Sequence, residues 1–211
     1  MLFKKINKPG SIKLPPADDS LSFFEEFKRA SESYWQTVTL EKEIYGYQIQ
    51  PGSKWKEGLS DSDLIKFESI MGFSFPVPLK NFYKVMNGLD RPGIDISGDK
   101  PAFESKFYSF PDDLDLIAEM IEWIYNRNKI SHNEIIKSGI SRIFPVFAHR
   151  FIMIDVPENP ILSMWGNDII YWADNVSQLL IKDVFKHEIN SKDYQKLTLS
   201  QPKVKFWLDK G

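Results

Sequence analysis

"SRIFPVFAHRFIMIDVPENPILSMWGNDIIYWADN", residues 141–175, decides the fold. It divides into four apolar runs, "SRIFPVF", "RFIMIDV", "ILSMW" and "DIIYW", joined by short links rich in Pro, Asn, Asp and Gly. Runs of about four to eight residues in which Ile, Phe, Val and aromatic side chains crowd between turn formers read as strands. Only Gly166 and Asn167 separate the last two runs, and both residue types accept positive φ, so a two-residue hairpin is predicted there. Asp174 or Asn175 then caps a final helix, "VSQLLIKDVFKHEI", with Leu179, Leu180 and Val184 facing inward.

Upstream of this region the periodicity is helical. "SLSFFEEFKRASESYW" starts at Asp19 or Ser20 and sets Phe23, Phe24 and Phe27 on one side. "LSDSDLIKFESIMG" carries a capping-box pattern at Ser60 and Asp63, an apolar face of Leu64, Phe67 and Met71, and a left-handed stop at Gly72. "FSFPVPLKNFYKVMNG" follows, with prolines at its start, Leu79, Phe82, Tyr83 and Met86 at helical spacing, and Asn87-Gly88 at its end. "EIYGYQIQPG", "GIDIS" near 93–97 and "KFYSF" at 106–110 read as short strands, and "PDDLDLIAEMIEWIYNRN" as a long helix. Residues 1–19, with four lysines and "KLPPADD", read as an arm. The expected architecture is α+β, a single domain with helices packed on one face of a largely antiparallel sheet.

Composition narrows the classes of function. Forty-two per cent hydrophobic residues, with 16 Phe, 8 Tyr and 6 Trp, supply a sizeable core. A formal charge of -2 argues against a general nucleic-acid binder with a uniformly basic face. The absence of cysteine excludes disulfides, thiolate zinc sites and cysteine nucleophiles, and it suits a reducing compartment. "MLFKKINKPG" lacks the apolar stretch of a secretory signal, and no apolar run approaches the roughly 18 residues of a membrane span. The expectation is a cytoplasmic protein with no membrane association and no direct nucleic-acid contact.

Candidate chemistry is sparse. His149, Ser163 and Asp168 supply the residue types of a hydrolase triad, yet Ser163 lies within an apparent strand, where no sharp nucleophile elbow is signalled. Asp168 is read as closing a turn or strand start. His149 and Arg150 are adjacent, so one is expected beneath the sheet and the other beside a carboxylate or at the surface. Asp183 and His187 share a helix face at i and i+4, without a third ligand to complete a metal site. His132 follows Ser131 at a helix start and is read as capping or surface. Asp112, Asp113 and Asp115 lie where carboxylates complement the helix dipole, and alone they specify no metal. No cofactor is expected. Trp165 and Trp172 flank the hairpin beside Tyr171, and exposed rings of this kind are favoured interface anchors.

The same residues carry a family resemblance. Trp55 in "KWKEGLS", Glu68 and Gly72, the Phe75-Pro76 step, Phe82-Tyr83 and Asn87-Gly88 come first, followed by Pro145, His149-Arg150, Pro160, Ser163 and "DIIYW" with Asp168. In order and spacing this resembles the SUKH superfamily, which includes the Smi/Knr-type cell-wall assembly regulators of fungi and many bacterial immunity proteins. Phe75 stands where such proteins often carry Leu, and Ala148 where they often carry Gly. The resemblance implies a SUKH-like domain over residues 44–187, preceded by an arm and helix over 1–43 packed on the fold and followed by an extension over 188–211. It also implies that the motif residues are structural and that the function is binding rather than chemistry. The expectation is an immunity protein that binds and neutralises a partner protein toxin, a nuclease among the candidates. The alternative is an intracellular regulatory or scaffold module, and a hydrolase using His149 stands behind both. Arg150, Trp165 and Trp172 are the candidate partner-binding residues, with Asp112, Asp113 and Asp115. Those three aspartates open a helix that carries five acidic and no basic residues from Asp112 to Glu122, a complement to a basic partner.

Overall fold

Capping side chains set the helix boundaries. The computed structural model describes residues 13–40, 46–95, 102–185 and 204–208. Ser20 accepts the Phe23 N–H through its hydroxyl and opens α1, Leu21–Trp35, which buries Phe23, Phe24, Phe27 and Trp35. Ser60 does the same for Asp63 and opens α2, Asp61–Met71, which Gly72 ends at φ 75° as its N–H donates to the Glu68 carbonyl. Pro76 leads into α3, Val77–Val85, where Leu79, Phe82 and Tyr83 are buried. Met86, expected within this helix, terminates it and is itself buried. α4 spans Leu114–Arg127 and α5 spans His132–Ser138, opened by a full capping box between Ser131 and Glu134. Asn175 accepts the Gln178 N–H and opens α6, Val176–Val184.

Among the described residues the strands form two antiparallel sheets rather than one, within the expected α+β architecture. The smaller has three short strands in the order β1 (Tyr47–Gln48), β2 (Gly93–Asp95) and β3 (Ala102–Glu104). The larger has four, in chain order: β4 (Ile143–Phe147), β5 (Arg150–Met153), β6 (Ile161–Trp165) and β7 (Asp168–Ala173). The predicted strand over 106–110 forms only an isolated bridge between Phe107 and Phe147. Side chains have taken the amides a ladder would use. The Ser109 N–H donates to Asp113 and the Phe110 N–H to Asn87. Residues 96 and 97 of "GIDIS" lie outside the described residues.

Two hairpins depend on backbone freedom. Ala148 takes φ 47° in the β4–β5 turn, the conformation a glycine adopts with least strain. At the β6–β7 turn Gly166 alone has positive φ, at 62°, so Asn167 does not need the left-handed tolerance expected of it. β4 and β5 are buried residue after residue, as is β6 up to Met164, so both faces of these strands are covered; β7 keeps one residue in two more open.

The first and last described segments contribute to the core. Phe24 and Phe27 of α1 meet Phe82 and Phe185, and Asp19 accepts the Ser177 N–H (2.7 Å) and hydroxyl (2.6 Å). Trp207 is buried against Tyr125 and donates its indole N–H to the Ser141 carbonyl. Phe144 of β4 packs among Phe67, Phe75 and Tyr83, joining the sheet to α2 and α3. No helix among the described residues is long and apolar enough to cross a membrane.

Candidate partner-binding surface

The serine of the apparent triad is engaged by an arginine. Ser163 of β6 lies directly across from Arg150 of β5, and its hydroxyl accepts a 2.6 Å hydrogen bond from the guanidinium. An arginine only donates, so this neighbour cannot take a proton from the serine. His149 sits in the β4–β5 turn with its ring 5.6 Å from Trp165, and Asp168 is the exposed first residue of β7.

Arg150 and Trp172 belong to an internal network. Trp172 is sandwiched between cations, with the Arg150 guanidinium 3.5 Å and the Lys182 ammonium 3.6 Å from its ring centre. Its indole N–H donates to Asp183 at 2.7 Å, and the Arg150 Nε lies 3.7 Å from the same carboxylate oxygen. The Asp183 side chain is 2% exposed and that of Arg150 10%. Burial pulls both the Arg150 and Lys182 pKa values down, while Asp183 pulls each back up. The arrangement ties β5, β6 and β7 to α6. Asp183 is therefore engaged inside the fold, and His187, its proposed companion, lies outside the described residues.

Trp165 faces outward. It is 64% exposed and meets Trp123 edge-on at 5.1 Å as well as His149. Ile170, on the neighbouring strand, is 52% exposed. Asn128, just past α4, donates to the Gly166 carbonyl at 2.9 Å, and Arg127 lies against Gly166. The end of α4 is thus fixed to the β6–β7 hairpin.

The acidic helix divides by task. Asp112 pairs with Lys56 at 2.9 Å, and Asp113 accepts both the N–H and the hydroxyl of Ser109 at 2.7 Å. Asp115, Glu119 and Glu122 are exposed, and their spacing of four and then three residues sets them in a row on α4. Trp123 follows Glu119 by one helical turn, so the row runs toward the aromatic cluster. Glu119 and Glu122 lie beyond the aspartates singled out from the sequence, and Trp123 was missed. Its position just off the Ile117, Ile121 and Ile124 stripe was the available signal.

The remaining motif residues brace the fold. Trp55 is packed among Phe27, Trp35, Phe82 and Phe107 and donates to Ser31. Glu68 accepts the Phe75 N–H and pairs with Lys80, which holds the α2–α3 turn ahead of Pro76. Asn87 makes two hydrogen bonds with the Phe110 backbone. Gly88 takes φ 75°, and a Cβ there would meet the Ser109 Cβ at 2.7 Å. Pro145 lies within β4, and the Pro160 carbonyl accepts the Met153 N–H. His132 is exposed at the first position of α5.

No family model, no curated protein and no solved structure matches the chain.

Proposed function

We propose that this protein is a non-enzymatic immunity protein of the cytoplasm, which neutralises a basic protein toxin by covering it. The reading draws on the SUKH-like motif order, and one observation carries it: an exposed tryptophan, braced by Trp123 and His149, stands at the end of a row of exposed carboxylates on α4. None of Asp115, Glu119 and Glu122 forms an ion pair among the described residues. A large ring supplies affinity when a partner desolvates it, and unpaired surface charge speeds encounter. Trp165 is the proposed anchor, with Arg150 and Trp172 supporting the sheet beneath it. Asp115, Glu119 and Glu122 supply the field, with Asp112 and Asp113 committed mainly to local contacts.

The test begins with proteins from the native host that bind the full chain. Trp165→Ala should weaken the complex by about 2 kcal/mol or more with the melting temperature unchanged. Glu119→Lys with Glu122→Lys should slow association mainly at low salt, because exposed charges are screened over about 10 Å at 0.1 M. The captured protein, expressed alone, should arrest growth, and the wild-type chain should relieve the arrest. A partner that binds through this surface but leaves growth untouched would favour the regulatory alternative.

A further inference from the structure

We infer that the outer edge of β7 receives an extended, basic segment of the partner as an added strand; this deepens the function proposed above and rests on it. Among the described residues β7 is the last strand of its sheet. The two-residue link makes Trp165 and Asp168 a hydrogen-bonded pair, and antiparallel ladders alternate, so Ile169 and Tyr171 turn their N–H and C=O groups away from β6. An independent contact fixes the phase. Met164, opposite Ile169, sends its N–H the other way, to the His149 carbonyl at 2.9 Å. Among the described residues nothing bonds the outward groups of Ile169 and Tyr171. The open stretch ends at Trp172, where the ladder shifts register and the Lys182 ammonium takes the carbonyl.

Natural edge strands are commonly guarded by lysine, proline or a covering element. β7 has no Lys, Arg or Pro, and Ile170 and Trp165 stand exposed beside its open groups. Charge selects the occupant. Asp168 begins the strand, and the carboxylate row of α4 leads to the hairpin that precedes it. The residues of β7 include no cation, so a second copy of the strand would offer the carboxylates none of its own, and the Lys182 beside it is already committed to the Trp172 ring and carbonyl. A segment in which Lys or Arg alternates with β-branched residues would satisfy the backbone groups, cover Ile170 and meet the carboxylates.

Isotope-labelled full-length chain titrated with a short peptide of alternating Lys and Val tests this directly. Amide exchange at Ile169 and Tyr171 should slow by about tenfold or more in the complex, while Ile170, already in the ladder, should not change. A peptide of alternating Glu and Val should leave all three amides unaffected. Ile169→Pro removes an outward N–H without breaking a ladder bond, and it should weaken Lys/Val binding by about tenfold or more. Should that variant fail to fold, Ile170→Lys at the exposed position should have the same effect by repulsion.

Binding that leaves Ile169 and Tyr171 exchanging freely would overturn the inference, as would no binding at about 1 mM. Equal binding of the acidic peptide, or protection that rises with concentration of the chain alone, would overturn it too, the latter by giving the edge to a second copy. The native partner separates the two readings. If Trp165→Ala and the charge reversals weaken its binding but Ile169→Pro does not, strand addition fails and the proposed function stands. If none of them changes binding, both fail.

Discussion

A serine hydroxyl that receives a hydrogen bond from a buried guanidinium is a support, and Ser163→Ala tests that role. The substitution should cost about 1–3 kcal/mol by stranding a charged donor, while the folded protein binds its partner normally. Asp183→Ala should cost more, about 3–5 kcal/mol, because it leaves Arg150 and Lys182 around Trp172 without their carboxylate. Urea unfolding measures both, and a larger loss for Ser163→Ala would show that the network is misassigned. At this scale the sequence was partly legible. The internal role of Arg150 was one of the two readings its position allowed, but Trp165 and Trp172 look alike in the pattern. They are told apart by a register shift next to Leu162, which leaves Trp172 without a directly opposite partner, and by Lys182 and Asp183 arriving from α6. Neither signal is local.

Elements were read well where a side chain within a few residues closes them. Ser20, Ser60, Asn175 and the Gly166-Asn167 link all mark boundaries that were expected. The reading of 106–110 failed because Asn87, 23 residues away, holds Phe110. The β4–β5 hairpin offers a test by pH. Arg142 binds the Asp155 carboxylate through its side chain and its N–H, and this hydrogen bonding holds the Asp155 pKa below its ordinary value. A lowered carboxyl pKa stabilises the fold above the unfolded value of about 3.9, and that contribution is lost as pH falls through the lowered value. The pair is over a third exposed, so solvent screening holds its contribution to about 1 kcal/mol or less. Melting temperatures followed from pH 7 into acid should therefore fall less steeply for Asp155→Asn than for wild type. Parallel profiles would remove the clamp from the account.

For the whole molecule, the α+β class and the apolar stripes were legible, but what each stripe packs against was not. Periodicity says that α1 buries Phe24 and Phe27, and it is silent about Phe82 and Phe185 as their partners. Phe82→Ala probes that shared core. Phe82 touches Phe24, Trp55 and Tyr83, and its loss should cost about 3–5 kcal/mol of a total of roughly 5–15, visible as a large fall in melting temperature. An unchanged melting temperature would place the core elsewhere. The Asp19–Ser177 hydrogen bonds carry a different consequence, since they join residues 158 positions apart. At roughly 5–20 residues per second, a ribosome needs about 8–32 s to pass from one to the other. For that interval α3 is already available to cover Phe24, but Phe27 waits without Phe185, so slow translation lengthens the time during which this part of the core is open to aggregation.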